Sequence, residues 1–135
     1  MKICVSAMTN SLDAPVDPRF GRCHYFVIVD SETLQFEAIP NTAFSAMSGA
    51  GIQAARTIVS KGVQVLITGN VGPNAFQALS AAGIKIVTGA SGTVRDVVER
   101  YKMGELKETS SPTVRGHFGM GAGGGRGLGR RRQNL

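Results

Sequence analysis

The chain has no tryptophan and only two cysteines, Cys4 and Cys23, in its 135 residues. Two cysteines cannot form the disulfide framework of a small secreted domain, so stability has to come from an apolar core. No run approaches the ~18 consecutive apolar residues that a membrane span needs. The opening residues, Met1-Lys2-Ile3-Cys4-Val5, alternate like a strand and lack the long apolar segment and cleavage site of a signal peptide. A cytoplasmic protein with reduced thiols is expected. Catalytic signatures are missing as well. There is no G-x-x-x-x-G-K-[ST] phosphate loop and no G-x-S-x-G elbow, and His24 and His117 are the only histidines. Asp13, Asp17 and Asp30 are not spaced to hold the two metal ions of a nuclease. A binding protein is therefore expected, not an enzyme. Acidic residues also run out. Residues 1–108 hold ten Lys and Arg against nine Asp and Glu, whereas residues 109–135 hold five Arg and no acid. The net charge of +6 thus belongs mainly to the C-terminal segment, which can attract polyanions by long-range Coulomb forces.

What is present reads as one α/β domain over residues 1–108. Residues 2–7 and 25–30 are apolar runs of strand length. Residues 35–40 alternate, with Phe36 and Ala38 against Glu37, and read as an edge strand. The short turn at Ser31-Glu32-Thr33 makes the second and third strands an antiparallel hairpin. After a small-residue loop, Ile52, Ala55, Ile58 and Val59 recur at helical spacing up to a stop at Gly62. Residues 63–68 read as a buried strand. Pro73 suits the first turn of a second helix, with Phe76 and Leu79 inward and Gly83 at its end. Residues 85–87 form a short strand. Thr93 with Asp96 resembles a capping box opening a third helix that carries Val94, Val97, Val98 and Tyr101 inward. The order β-β-β-α-β-α-β-α, with right-handed crossovers in its second half, implies a ribonuclease-H-like five-stranded mixed sheet. The expected strand order is 3-2-1-4-5, with strand 2 antiparallel. Residues 109–135 form a Gly/Arg-rich tail; from residue 115 onward they hold eight of the 18 glycines and no apolar periodicity, and are expected to be disordered.

In open α/β sheets, ligands sit beyond the carboxyl ends of the parallel strands. The loops at residues 8–22, 69–72 and 88–92 should meet there. The last two lead into helix N-termini, which favour anions. Gly69, Asn70, Gly72, Gly89 and Ser91 are the candidate backbone donors, and Arg19 and Arg22 the candidate charges. Gly-rich turns of this kind also occur for purely structural reasons. Cys23 and His24 form the one soft-ligand pair. Neighbours in a strand point to opposite faces, so both cannot easily bind one metal. Cys23 is either a ligand, its thiolate favoured by Arg22, or a small core residue. His24 is equally open to a ligating or a structural role.

These segments resemble the dinitrogenase iron–molybdenum cofactor-binding family. Asp17-Pro18-Arg19-Phe20-Gly21-Arg22 followed by Tyr25-Phe26 is similar to its D-x-x-F-G-x-x-x-x-F segment. Thr68-Gly69-Asn70-Val71-Gly72-Pro73-Asn74-Ala75-Phe76 is similar to its most recognisable stretch. The Gly-rich helix start at residues 49–55, Ala82-Gly83-Ile84-Lys85-Ile86 and Gly104-Glu105-Leu106 also fit. The family includes carriers and storage proteins for iron–molybdenum cofactor and its precursor, and a small orange protein that holds a molybdenum–copper sulfide cluster. The resemblance thus implies a carrier of iron–molybdenum cofactor or a related molybdenum–sulfur cluster, working with a protein that donates or accepts it. Members that bind cofactor often place His directly before the Phe-Gly pair, where this chain has Arg19. The resemblance stops short of the tail, for which weak, non-specific polyanion binding is the expectation. The alternative is a regulatory or interaction module that has lost the cluster and engages a polyanion through the tail.

Overall fold

A computed structural model describes residues 1–43 and 49–113. Five strands form one sheet in the order β3-β2-β1-β4-β5. They are β1 (Lys2–Ala7), β2 (Tyr25–Asp30), β3 (Phe36–Pro40), β4 (Val65–Ile67) and β5 (Lys85–Val87). Only β2 runs against the rest: it pairs antiparallel with both β1 and β3, while β1–β4 and β4–β5 are parallel. The expected mixed sheet is the observed one. The β2–β3 turn is tied by the Asp30 carboxylate, which accepts from the backbone N–H groups of Glu32 (2.8 Å) and Thr33 (3.2 Å).

Side chains of a strand alternate between faces, and each face here has its own core. Cys4, Phe26, Ile28, Leu66 and Ile86 lie on one face beneath α1 (Ala50–Ser60) and α2 (Pro73–Ala81). Ile3, Val5, Val27, Val29, Ile67 and Val87 lie on the other, beneath α3 (Val94–Lys102). Fully burying one Ile or Leu, such as Ile58 or Leu79, contributes about 1.5–3 kcal/mol. The helical stripe of α1 is rotated from the expected one: Ala50, Ala54, Ala55 and Ile58 are buried, while Val59 is exposed. Small residues face the sheet because α1 also has to pack beside α2, where a methyl added at Gly51 would sit 3.2 Å from the Ala75 Cβ. Phe36 shares a face with Ala38, as expected, and is exposed at the sheet edge.

The long β1–β2 connection is built into the domain. Leu12, Ala14 and Val16 join the core beneath α3. The carbonyls of Ala14 and Leu12 accept from the N–H groups of Val94 and Arg95, each at 2.9 Å. With the Thr93–Asp96 capping box, these bonds satisfy the N-terminus of α3 inside the protein. Residues 105–113 continue from α3 back across the domain. Thr109 and Thr113, one and five residues past the expected domain end at 108, are hydrogen-bonded to it. The remaining tail, 114–135, lies outside the described residues.

Candidate functional site

The segment after β1 returns to the sheet through a buried polar chain. The Ser6 hydroxyl donates to the Asp17 carbonyl at 2.6 Å and lies 2.7 Å from the Thr68 hydroxyl. Asp17 N–H donates to the Ser6 carbonyl at 2.9 Å. The Asp17 residue is 1% exposed, and its carboxylate turns back to Arg19. It accepts from Arg19 N–H at 2.9 Å and from two guanidinium nitrogens at 3.3 Å each. The Arg19 side chain is 61% exposed. Its guanidinium is therefore aimed by a buried anion, whose hydrogen bonds and then charge push its pKa further above the ordinary value.

Next the chain lies along the loop after β4. Arg19 bridges Asn70, and Asn70 N–H donates to the Pro18 carbonyl at 2.7 Å. This close approach explains Gly69: a Cβ there would stand 2.5 Å from the Pro18 Cα. Gly69 seats one loop on the other instead of admitting a ligand. Phe20, in a single 3-10 turn (Phe20–Arg22), packs on Phe26 with ring centroids 5.4 Å apart. Gly21 in the same turn lies against α1, where a Cβ would be 3.0 Å from the Gly51 nitrogen.

These contacts leave a cleft of about 560 Å³. Its walls are Arg19 and Arg22, the N-terminus of α1 (Gly49, Gly51) and the loop and N-terminus of α2 (Asn70, Gly72). Neither helix has a side-chain cap, and Gly49 takes the left-handed φ of 73° that a side chain would resist. The first amides of both helices lack intrahelical acceptors and carry the positive ends of two helix dipoles. No carboxylate lines the cleft among the described residues. The arrangement suits an anion. The volume falls within the roughly 300–1,000 Å³ usual for ligand pockets.

The expected site residues divide. Arg19, Arg22, Asn70 and Gly72 share the cleft. Gly89 and Ser91 do not line it: Gly89 N–H donates to the Gly69 carbonyl at 2.8 Å, and the Ser91 carbonyl accepts from Arg100 at 3.3 Å. The helix that follows them, α3, already has its amides satisfied by Ala14, Leu12 and Thr93, so that end offers no comparable anion site. Cys23 is 0% exposed in the core beneath α1 and α2. Its thiol donates to the Phe20 carbonyl at 3.3 Å. Burial, and then the charge of Asp17, pushes its pKa up to about 12, so proximity to Arg22 in sequence does not produce a thiolate. Burial likewise holds Cys4 protonated. His24 is exposed, is absent from the cleft lining, and gives its carbonyl to Asn41 N–H at 2.8 Å. Among the described residues no group of three His, Cys, Asp or Glu could hold a metal ion. The sequence reading missed Asp17 as the group that aims Arg19. It also missed the α1 N-terminus as a wall, although the small residues at 49–51 were a signal for it.

Residues 1–104 match the family described as dinitrogenase iron-molybdenum cofactor. An uncharacterised protein of Methanocaldococcus jannaschii is 32% identical over 111 residues, 80% of this chain and 91% of that protein. The apo form of the orange protein from Desulfovibrio gigas is 44% identical, over 84% of this chain and 96% of its own, with a TM-score of 0.81. A putative NifB protein from Thermotoga is 36% identical over 84% of this chain and 98% of its own, with a TM-score of 0.71.

Proposed function

The chain belongs to the dinitrogenase iron–molybdenum cofactor family, and from that membership we propose that it is a non-catalytic carrier whose cargo is an anionic molybdenum- or iron–sulfur cluster. The observation that supports this is the cleft. Two uncapped helix N-termini and two arginines converge on it, with no carboxylate in its described lining. Sulfide and oxo groups carry negative charge and accept hydrogen bonds, so backbone amides of Gly51, Asn74 and Ala75 suit them as donors. Arg19 and Arg22 would supply charge, with Arg19 aimed by Asp17. With Cys23 buried and protonated, the cluster would be held by outer contacts and not caged by thiolates. Such a grip can release its cargo, which is what transfer to an acceptor protein requires. No helix among the described residues is long and apolar enough to cross a membrane, and we place the carrier in the cytoplasm.

Anaerobic titration with tetrathiomolybdate, and with isolated iron–molybdenum cofactor, tests this reading through visible absorption. Wild type should bind. Arg19→Ala should bind roughly ten- to a hundredfold more weakly, the worth of one charge-assisted hydrogen bond of ~1.5–3 kcal/mol. Equal binding by wild type and Arg19→Ala would move the site elsewhere. Absence of binding by wild type would favour the interaction-module reading, with the basic tail engaging a polyanion.

A further inference from the structure

The turn that carries Arg22 into the cleft is held by a side chain that does not line the cleft. Asn41, the residue after β3, is 3% exposed. Its backbone N–H donates to the His24 carbonyl at 2.8 Å and extends the β2–β3 ladder by one rung. Its Oδ1 accepts from the Ala43 N–H at 3.0 Å, the bond of an Asx turn. Its Nδ2 has two hydrogens to place, and two carbonyls receive them: Cys23 at 2.9 Å and Gly21 at 3.1 Å. Arg22 lies between those two carbonyls in the chain. The 3-10 turn itself supplies less: Arg22 N–H donates to the Arg19 carbonyl at 3.2 Å, and no side chain caps it. Turns of this type have poor hydrogen-bond geometry, so what fastens them from outside decides their shape.

The two cleft arginines are therefore held in different ways. Asp17 grips the Arg19 guanidinium directly. Asn41 grips the backbone around Arg22. We infer that Asn41 is a positioning residue of the cleft: it fixes the carbonyls on either side of Arg22 and, through them, the direction in which Arg22 enters the cleft. This deepens the carrier reading and rests on it. A cation whose backbone is already fixed loses less freedom when an anion arrives, and so binds it more tightly. The clamp bears on a second wall as well. Gly21 lies so close to α1 that a Cβ there would be 3.0 Å from the Gly51 nitrogen, so a turn released from Asn41 also shifts against the α1 N-terminus. Asn41 is 20 residues from Gly21 and 18 from Cys23, so the loop after β3 sets the shape of the loop after β1.

A double-mutant cycle in the full-length chain, read by anaerobic titration with tetrathiomolybdate, tests the inference. Asn41→Ser is the variant of choice. Its hydroxyl can still accept from the Ala43 N–H, since serine forms the same turn more weakly, but it is too short to reach both carbonyls. Arg22→Ala should bind roughly tenfold more weakly than wild type, and Asn41→Ser several-fold more weakly. Because Asn41 acts through Arg22, the double variant should bind no more weakly than Arg22→Ala alone. Combined with Arg19→Ala, which Asp17 holds independently, the Asn41→Ser loss should multiply in full. Amide exchange at Arg22 should quicken in Asn41→Ser while exchange in β1 stays as in wild type. A lower urea midpoint with wild-type affinity would overturn the inference, because Asn41 would then serve stability alone. Multiplied losses for Asn41→Ser and Arg22→Ala would overturn it too, since Asn41 would then act elsewhere. Failure of the carrier reading has a different pattern: wild type itself does not bind, and this inference falls with it.

Discussion

Gly69 and Gly72 are three residues apart in one glycine-containing loop, yet replacing each with alanine should have opposite consequences. At Gly69 the new methyl would be 2.5 Å from the Pro18 Cα, 2.7 Å from its Cβ and 2.9 Å from its carbonyl oxygen. Carbon atoms rest at about 3.5–4.0 Å, so the two loops must part by roughly 1 Å. All three are backbone or ring atoms, so no side chain can swing away. Parting them strains the Asn70 N–H bond to the Pro18 carbonyl (2.7 Å) and the Phe20 N–H bond to the Asn70 carbonyl (3.4 Å). Overpacking costs about 1–3 kcal/mol and each of the two hydrogen bonds about 1 kcal/mol, giving a total of roughly 3–5 kcal/mol. Domains of this kind have only about 5–15 kcal/mol to lose. At Gly72 nothing lies within 4 Å of an added Cβ, and φ is −78°. Gly72→Ala should therefore cost under about 1 kcal/mol, mainly through a poorer N-cap. It should still weaken anion binding, since its methyl enters the cleft lining. Urea unfolding followed by circular dichroism measures both variants. A Gly69→Ala midpoint equal to that of wild type would refute the packing argument. So would a Gly72→Ala loss as large as that of Gly69→Ala.

Three further outcomes are expected. Cys23 has its pKa raised from 9.0 to about 12, so the folded state holds a proton that the unfolded state gives up. That contribution, up to about 4 kcal/mol, is whole below pH ~9 and is lost as pH rises toward ~12. Urea midpoints of wild type should fall steeply over this window and those of Cys23→Ala less steeply; equal slopes would show that the thiol does not drive the loss. Asp17→Ala removes the acceptor of one Arg19 N–H and two guanidinium contacts, and should lower unfolding stability by about 1.5–3 kcal/mol, with an unchanged midpoint counting against the role assigned to it. Thr93→Ala removes the acceptor for Asp96 N–H (3.1 Å) and should cost about 1 kcal/mol, seen as a lower melting temperature and faster amide exchange at Asp96.

Periodicity and punctuation carried the architecture. Apolar runs of strand length at residues 2–7 and 25–30, the hairpin turn at Ser31-Glu32-Thr33 and the Thr93–Asp96 cap depend on neighbours within a few positions, so they are legible along the chain. The connection rules then left few sheet orders, and the one read from them is the one observed. The glycines and arginines of the anion site were equally visible as residue types. Which of them share a cleft was not, because that depends on contacts between distant segments. Gly69 looked like a place for a ligand and proved to be the seat of Pro18. Cys23 looked activated by Arg22 in sequence, but burial against Phe20, Phe26 and α1 governs its proton. The loops after β4 and β5 look alike, yet the Ala14 and Leu12 carbonyls satisfy the amides of α3, while those of α1 and α2 open on the cleft. The placement of Thr113 on Val71, 42 residues apart, had no local signal at all. Local conformation follows from near neighbours, whereas burial, the satisfaction of backbone donors and the assembly of a charged site depend on which distant segments the fold brings together.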